Sequence, residues 1–134
     1  MNGEAPRLIE ATTTGSVAEA VHSLRNALDR RGIQVFAIID HAAGARSAGL
    51  ELTDETVVIF GNPSVGTALM QADPRTGIEL PLRMLVWSDG EVTHIAHRDV
   101  GGLATEFELG TASGTLTKLG ALMLSLVEEI TTGG

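Results

Sequence analysis

Val57-Val58-Ile59-Phe60-Gly61-Asn62-Pro63-Ser64-Val65-Gly66-Thr67-Ala68-Leu69-Met70 is the stretch that decides the fold. Its first four residues are β-branched or aromatic and suit a buried strand. Gly61-Asn62-Pro63 then turns the chain, and the apolar spacing that follows fits a helix. Asn62 is a good N-cap, because its side-chain oxygen accepts from an N–H of the first turn. Pro63 falls at the first helical position, where its missing N–H costs nothing and its fixed φ suits the helix. The stretch reads as a strand that delivers the backbone straight into a helix.

Upstream, Leu8–Thr14 is short and Thr-rich, a first strand expected at an edge. Ser16-Val17-Ala18-Glu19 is a capping box, in which Ser16 and Glu19 each satisfy the other's backbone N–H. Val17, Val21, Leu24 and Leu28 recur at helical spacing, and Gly32 supplies the left-handed position that ends such a helix. His22 and Arg25 fall on its solvated side. Ile33–Ile39 reads as a strand, alternating at first and wholly apolar at its end, as a strand buried on both faces would be. Asp40 then caps a short Ala-rich helix that Gly49 closes.

Downstream, Pro74 ends the second long helix. Leu80–Trp87 is a strand, with Pro81 near its start where a missing donor is tolerated. Ser88-Asp89-Gly90-Glu91 is a hairpin turn, and Val92–His97 returns antiparallel. Asp99–Gly114 is the least readable segment, with Thr105–Leu109 either a loop or one helical turn. Leu116, Leu119, Leu122, Met123, Leu126, Val127 and Ile130 form a broad apolar stripe on a last helix of about 115–131, and the tail Thr132-Gly133-Gly134 is expected to fray. No repeat or linker interrupts residues 1–134, so one domain is expected.

Three segments resemble the signatures of a bacterial and archaeal family, domain of unknown function 302. They are Phe36–Ala45, Phe60-Gly61-Asn62-Pro63 with Gly66-Thr67 and Leu69-Met70, and Ile78–Trp87. The resemblance runs from about residue 32 to 92 and weakens beyond Trp87, where family members often carry an aromatic residue near the place His97 holds here. It implies an α+β two-layer sandwich, a mostly antiparallel sheet with helices on one face, assembling as a homodimer. It implies no reaction.

Composition narrows the function classes. The 134 residues are 43% hydrophobic and 19% charged, as in a folded globular domain. A formal net charge of −8 repels nucleic-acid phosphates and anionic membrane surfaces. With no cysteine, disulfides, thiol catalysis and Cys-ligated metal are excluded. Met1–Arg7 lacks the layout of an export signal, and no apolar run approaches the roughly 18–20 residues of a membrane span. The cytoplasm is the expected location.

Gly61–Thr67 superficially has P-loop spacing, but Gly66 leads directly to Thr67 where a Lys is needed, and Pro63 removes a backbone donor. Nucleotide hydrolysis is rejected. A weaker role for Asn62, Ser64 and Thr67 in holding a small ligand, anion or carboxylate stands beside the plain alternative of a capped turn. Asp40-His41, where a strand gives way to a helix, offers an acid–base pair or instead a cap at Asp40 with His41 hydrogen-bonded to a neighbouring loop. His94 and His97, three apart on a strand, point to opposite faces. A metal set of His41, His97 and Asp99 is a weak candidate, since no tight ligand spacing supports it. Trp87, Met84 and Phe60 are core residues by default, and no Gly-x-Ser-x-Gly elbow supports serine chemistry.

The sequence favours a homodimeric module that binds a small ligand or a protein partner without a cofactor. The alternative is an enzyme with Asp40 and His41 as its acid–base pair, with or without the assistance of a metal. Convergence of Asp40-His41 with Asn62–Thr67 depends on strand direction: antiparallel neighbours would set the two motifs at opposite ends of the sheet.

Overall fold

The computed structural model describes residues 7–132, so Gly133 and Gly134 of the expected frayed tail lie outside the described residues. The chain runs β1 (Leu8–Thr13), α1 (Val17–Arg30), β2 (Gln34–Asp40), α2 (His41–Ser47), β3 (Glu55–Gly61), α3 (Pro63–Ala72), β4 (Leu82–Ser88), β5 (Thr93–Arg98) and α4 (Ser113–Thr131). Short 3-10 turns at Pro74–Ile78, Val100–Thr105 and Gly110–Ala112 fill the connections. The last two resolve the segment that the sequence left open.

The five strands form one antiparallel sheet in the order β1-β5-β4-β3-β2. β1 and β2, the first two strands of the β-α-β start, therefore stand at opposite edges with three strands between them. Along β3, Thr56, Val58 and Phe60 are buried while the residues between them are half-buried. Phe60, Met84, Val86 and Ile95 line the buried face with Leu24 and Leu28 of α1 and Met123 and Leu126 of α4. This is an α+β sandwich with helices packed on the sheet. Period-2 burial on the strands and the 3.6 stripe on the helices meet in one core.

Local signals were realised where they were strongest. Ser16 Oγ accepts from Glu19 N at 3.1 Å and Glu19 Oε1 accepts from Ser16 N at 2.9 Å, which completes the capping box. Gly32 and Gly49 take φ of +66° and +78° after α1 and α2. In the hairpin, Asp89 Oδ1 accepts from Glu91 N and Val92 N, and Gly90 turns at φ +101°.

One expectation is corrected. β2 is not buried on both faces: it is an edge strand, with Phe36 43%, Ile38 39% and Ile39 43% exposed. Its apolar end reflects an uncovered edge rather than the centre of a sheet.

Candidate functional site

The register of β2 on β3 separates the two sequence motifs. Gln34 pairs with Gly61 and Asp40 with Thr56, so Asp40-His41 and Asn62 lie at opposite ends, six residues or about 20 Å apart at ~3.3 Å per residue. They form no common site.

At the Asp40 end the carboxylate is occupied. Asp40 Oδ1 accepts from Ala43 N at 2.9 Å and so caps α2. His41 is exposed as the first residue of that helix. A shallow groove between α1 and the β2 edge gathers His22, Arg25, Asp40 and Asp54, a juxtaposition that no sequence spacing announces. The weak metal candidate is also dispersed. His41 follows β2, whereas His97 lies on β5, with β3 and β4 between them, or about 14 Å at ~4.8 Å per strand. No trio of His, Asp or Glu among the described residues is placed to hold a metal.

His94 and His97 do face opposite ways. His94 stacks on Trp87, with ring centroids 5.0 Å apart and planes 14° apart, and its Nε2 donates to Asp89 Oδ2 at 2.8 Å. That bond, with the N–H groups of Val92 and Glu91, holds the Asp89 carboxyl well below its ordinary range. His97 is buried in the core. Its Nδ1 donates to the Arg98 carbonyl at 2.9 Å, which leaves Nε2 as an acceptor that no described group meets. Phe60 and Met84 are fully buried core residues, as the default reading has them.

The Asn62 end is concave. A cleft of about 200 Å³ opens beside the strand-to-helix turn and runs between Phe36, the start of α3 and the Leu80–Leu82 segment. A Cβ at Gly61 would stand in ordinary contact, 3.5 Å from the Phe36 ring and 3.7 Å from Pro81 Cβ. Asn62 and Thr67 line the cleft; Ser64 does not. The polar atoms of the turn are largely engaged. Asn62 Oδ1 accepts from Ser64 N at 3.0 Å and Ser64 Oγ at 2.7 Å, and Thr67 Oγ1 donates to Pro63 O at 2.7 Å. Val65 N and Gly66 N both donate to Asn62 O. The first-turn donors are therefore turned inward, so the geometry gives little to an anion and leaves a largely apolar trough with Asn62 and Thr67 among its walls. No Asp, Glu, Lys, Arg or His lines it.

A second cavity, of about 250 Å³, lies on the other side of Leu80–Leu82. No spacing in the sequence points to it, because its walls come from α3, β4, β5 and α4. Neighbouring Asp73 anchors this region. Its carboxylate, 6% exposed, accepts from Arg75 Nε and Nη2 and from Glu108 N. The Arg75 bond first, and the Glu108 N–H next, hold the Asp73 carboxyl far below its ordinary range.

A five-stranded antiparallel sheet with helices packed on it defines a small α+β sandwich. The chain belongs to the family described as Domain of unknown function DUF302, which matches residues 9–126. It superposes with a TM-score of 0.82 on the crystal structure of an uncharacterized conserved DUF302 protein from Bacillus stearothermophilus, covering 92% of this chain and 97% of that one at 14% identity. That likeness shows the fold alone. The chain is also 36% identical over 126 residues to the proteins named fluoride-specific ion channel FluC 1 of Brucella suis biovar 1 (strain 1330) and of Brucella abortus biovar 1 (strain 9-941). Those matches cover 85% of this chain and 50% and 47% of the relatives, so the chain spans about half the length of the curated relatives it matches.

Proposed function

We propose that this protein is a homodimeric, cytoplasmic binding module for a small, largely apolar and uncharged ligand seated beside Asn62 and Thr67. One observation carries the reading. Residues from all three stretches that resemble the family signatures converge on the same cleft: Phe36 from the first, Gly61, Pro63 and Met70 from the second, Leu80 and Pro81 from the third. A concave, mostly apolar trough with a small number of polar groups is the usual form of a small-molecule site. The cysteine-free composition suits a reducing compartment, and the exposed β2 edge offers a surface on which two copies can pair.

The alternative, catalysis by Asp40 and His41, has less support, because the carboxylate caps α2 and His41 is exposed. The FluC relatives are named for moving an ion across a membrane. Among the described residues no helix is long and apolar enough to cross one, and the match covers half of those proteins, so channel activity is not transferred to this chain.

The test is native mass spectrometry of protein purified without detergent, followed by the Gly66→Leu variant, whose side chain would fill the trough. A co-purified small molecule lost in that variant supports the proposal. Retention of the same mass would sink it.

A further inference from the structure

The register of β2 on β3 shifts at Phe36. Val35 pairs with Phe60 and Ala37 with Ile59, so Phe36 is an extra residue with no partner of its own in the ladder. A bulge of this kind re-aims the side chain it carries, and bulges are enriched beside active sites. Here the bulged residue forms part of the wall of the Asn62 cleft. Phe36 is 43% exposed, whereas Phe60 is fully buried and Trp87 and Phe107 are half-buried. A ring left uncovered inside a concavity is apolar surface that a ligand can remove from water.

The cleft is also thin. A Cβ on Gly61 would touch Phe36 Cε2 at 3.5 Å and Pro81 Cβ at 3.7 Å, and one on Gly66 would touch Leu80 Cδ1 at 3.6 Å and Met70 Cε at 3.9 Å. All six residues line the cleft. At each glycine the neighbouring groups thus stand no further apart than two carbon contacts of ~3.5–4.0 Å, which is room for a single layer of atoms. A volume of about 200 Å³ between such walls is a slab. It is smaller than drug-sized sites of ~300–1,000 Å³, which limits the occupant to one or two rings. Pro63 and Pro81 line it with rings of fixed backbone φ, so these walls lose little freedom when a ligand enters. Met70, 38% exposed, adds a polarizable thioether, a group that makes favourable contacts with aromatic edges.

We propose that the Asn62 cleft takes a flat aromatic molecule of one or two rings, inserted between Phe36 and Pro81 with Met70 at its edge, a claim that rests on the reading of this cleft as a site for an apolar, uncharged ligand and narrows it to planar molecules. A puckered hydrocarbon of equal carbon number offers similar apolar area but is thicker than one layer of atoms, so shape excludes it.

Phenol and cyclohexanol isolate that difference, since both carry six carbons and one hydroxyl and only phenol is flat. With 13C-methyl methionine labels, Met70 reports this cleft and Met123 the neighbouring cavity. Phenol should give a saturable shift of the Met70 methyl and leave Met123 unmoved. Cyclohexanol should displace it only at roughly tenfold higher concentration, about the worth of a good aromatic pair. Phe36→Leu, at an exposed position, keeps an apolar wall without the ring and should bring phenol level with cyclohexanol. Gly61→Val, whose side chain would occupy the layer, should abolish the phenol response. Displacement by cyclohexanol at equal concentration, or phenol binding unchanged in Phe36→Leu or in Gly61→Val, would overturn the planar class while leaving the apolar-ligand reading in place. A Met70 methyl that answers to neither alcohol would overturn both.

Discussion

Asp73 and Arg75 form a two-point ion pair at the exit of α3, with Arg75 Nε donating to Oδ1 at 3.0 Å and Nη2 to Oδ2 at 2.7 Å. The same carboxylate accepts from Glu108 N at 3.0 Å, 35 residues further on. The Arg75 guanidinium also stands 5.8 Å over the Phe107 ring. One acid thus ties the end of α3 to the segment that leads into α4. Because its folded-state titration lies below the ordinary carboxylate range, its contribution is fully present above about pH 4 and is lost as pH falls from there through the folded value. Asp73→Asn should lower Tm by a few degrees at pH 7, and the gap to the parent should narrow below about pH 4. Thermal unfolding at pH 7, 4 and 3 checks this; a gap independent of pH would mean that the ion pair is not its source.

Gly66 is a helical glycine with room. A Cβ there would meet Leu80 Cδ1 at 3.6 Å and Met70 Cε at 3.9 Å, which is ordinary contact. Glycine within a helix costs roughly 0.5–1 kcal/mol relative to alanine. Gly66→Ala should therefore raise stability by about that amount in denaturant titration, while narrowing the cleft. A fall in stability would show that the backbone of α3 is strained at this point. If the larger Gly66→Leu change left the Met70 methyl environment untouched, the trough would not be where the cleft is drawn.

Asp40 and His41 are neighbours with different prospects. Asp40 caps α2 through Ala43 N, so Asp40→Ala should cost about 1 kcal/mol. His41 is exposed and is given no capping bond, so His41→Ala should stay within ~0.5 kcal/mol of the parent. Chemical denaturation of both variants separates them. A large loss on replacing His41 would return it to consideration as a structural or functional partner of Asp40.

The parts that were legible in sequence are those whose cause is local. Ser16 with Glu19, Asn62 with Pro63 and Asp89 with Gly90 each act within a few residues, and each sits where its chemistry requires. The parts that were not legible depend on strand order. Phe36, Ile38 and Ile39 have the composition of an interior strand, and only the order β1-β5-β4-β3-β2 shows them to be at an edge. The same holds for the candidate sites. Asn62 and Thr67 were visible as a turn, but the opposing walls Phe36 and Pro81 come from other strands or their approaches. Arg83 and Arg98, 15 positions apart in sequence, line one cavity because β4 and β5 are neighbours in the sheet. The apparent promise of Asp40-His41 rested on its place at a strand end, and the antiparallel register put it at the wrong end.

The β2 edge bears on assembly. An exposed strand with apolar side chains and no Lys or Pro is a template for pairing with another chain, and β2, Gln34-Val35-Phe36-Ala37-Ile38-Ile39-Asp40, has neither residue. Antiparallel pairing of two copies about a two-fold axis sets the Gln34 end of one strand against the Asp40 end of the other, so the two carboxylates do not meet. The other edge is less suited, because β1 carries Glu10 and threonines. Ile39, 43% exposed, is the residue whose replacement by lysine should disturb the pairing most while disturbing the monomer least, since a surface substitution stays within ~0.5 kcal/mol. Light scattering on size-exclusion chromatography should give a dimer for the parent and a monomer for Ile39→Lys, with Tm compared at matched protein concentration. A parent that is monomeric at high concentration would remove the dimer from the proposal, and a dimer that survives the substitution would move the interface away from β2.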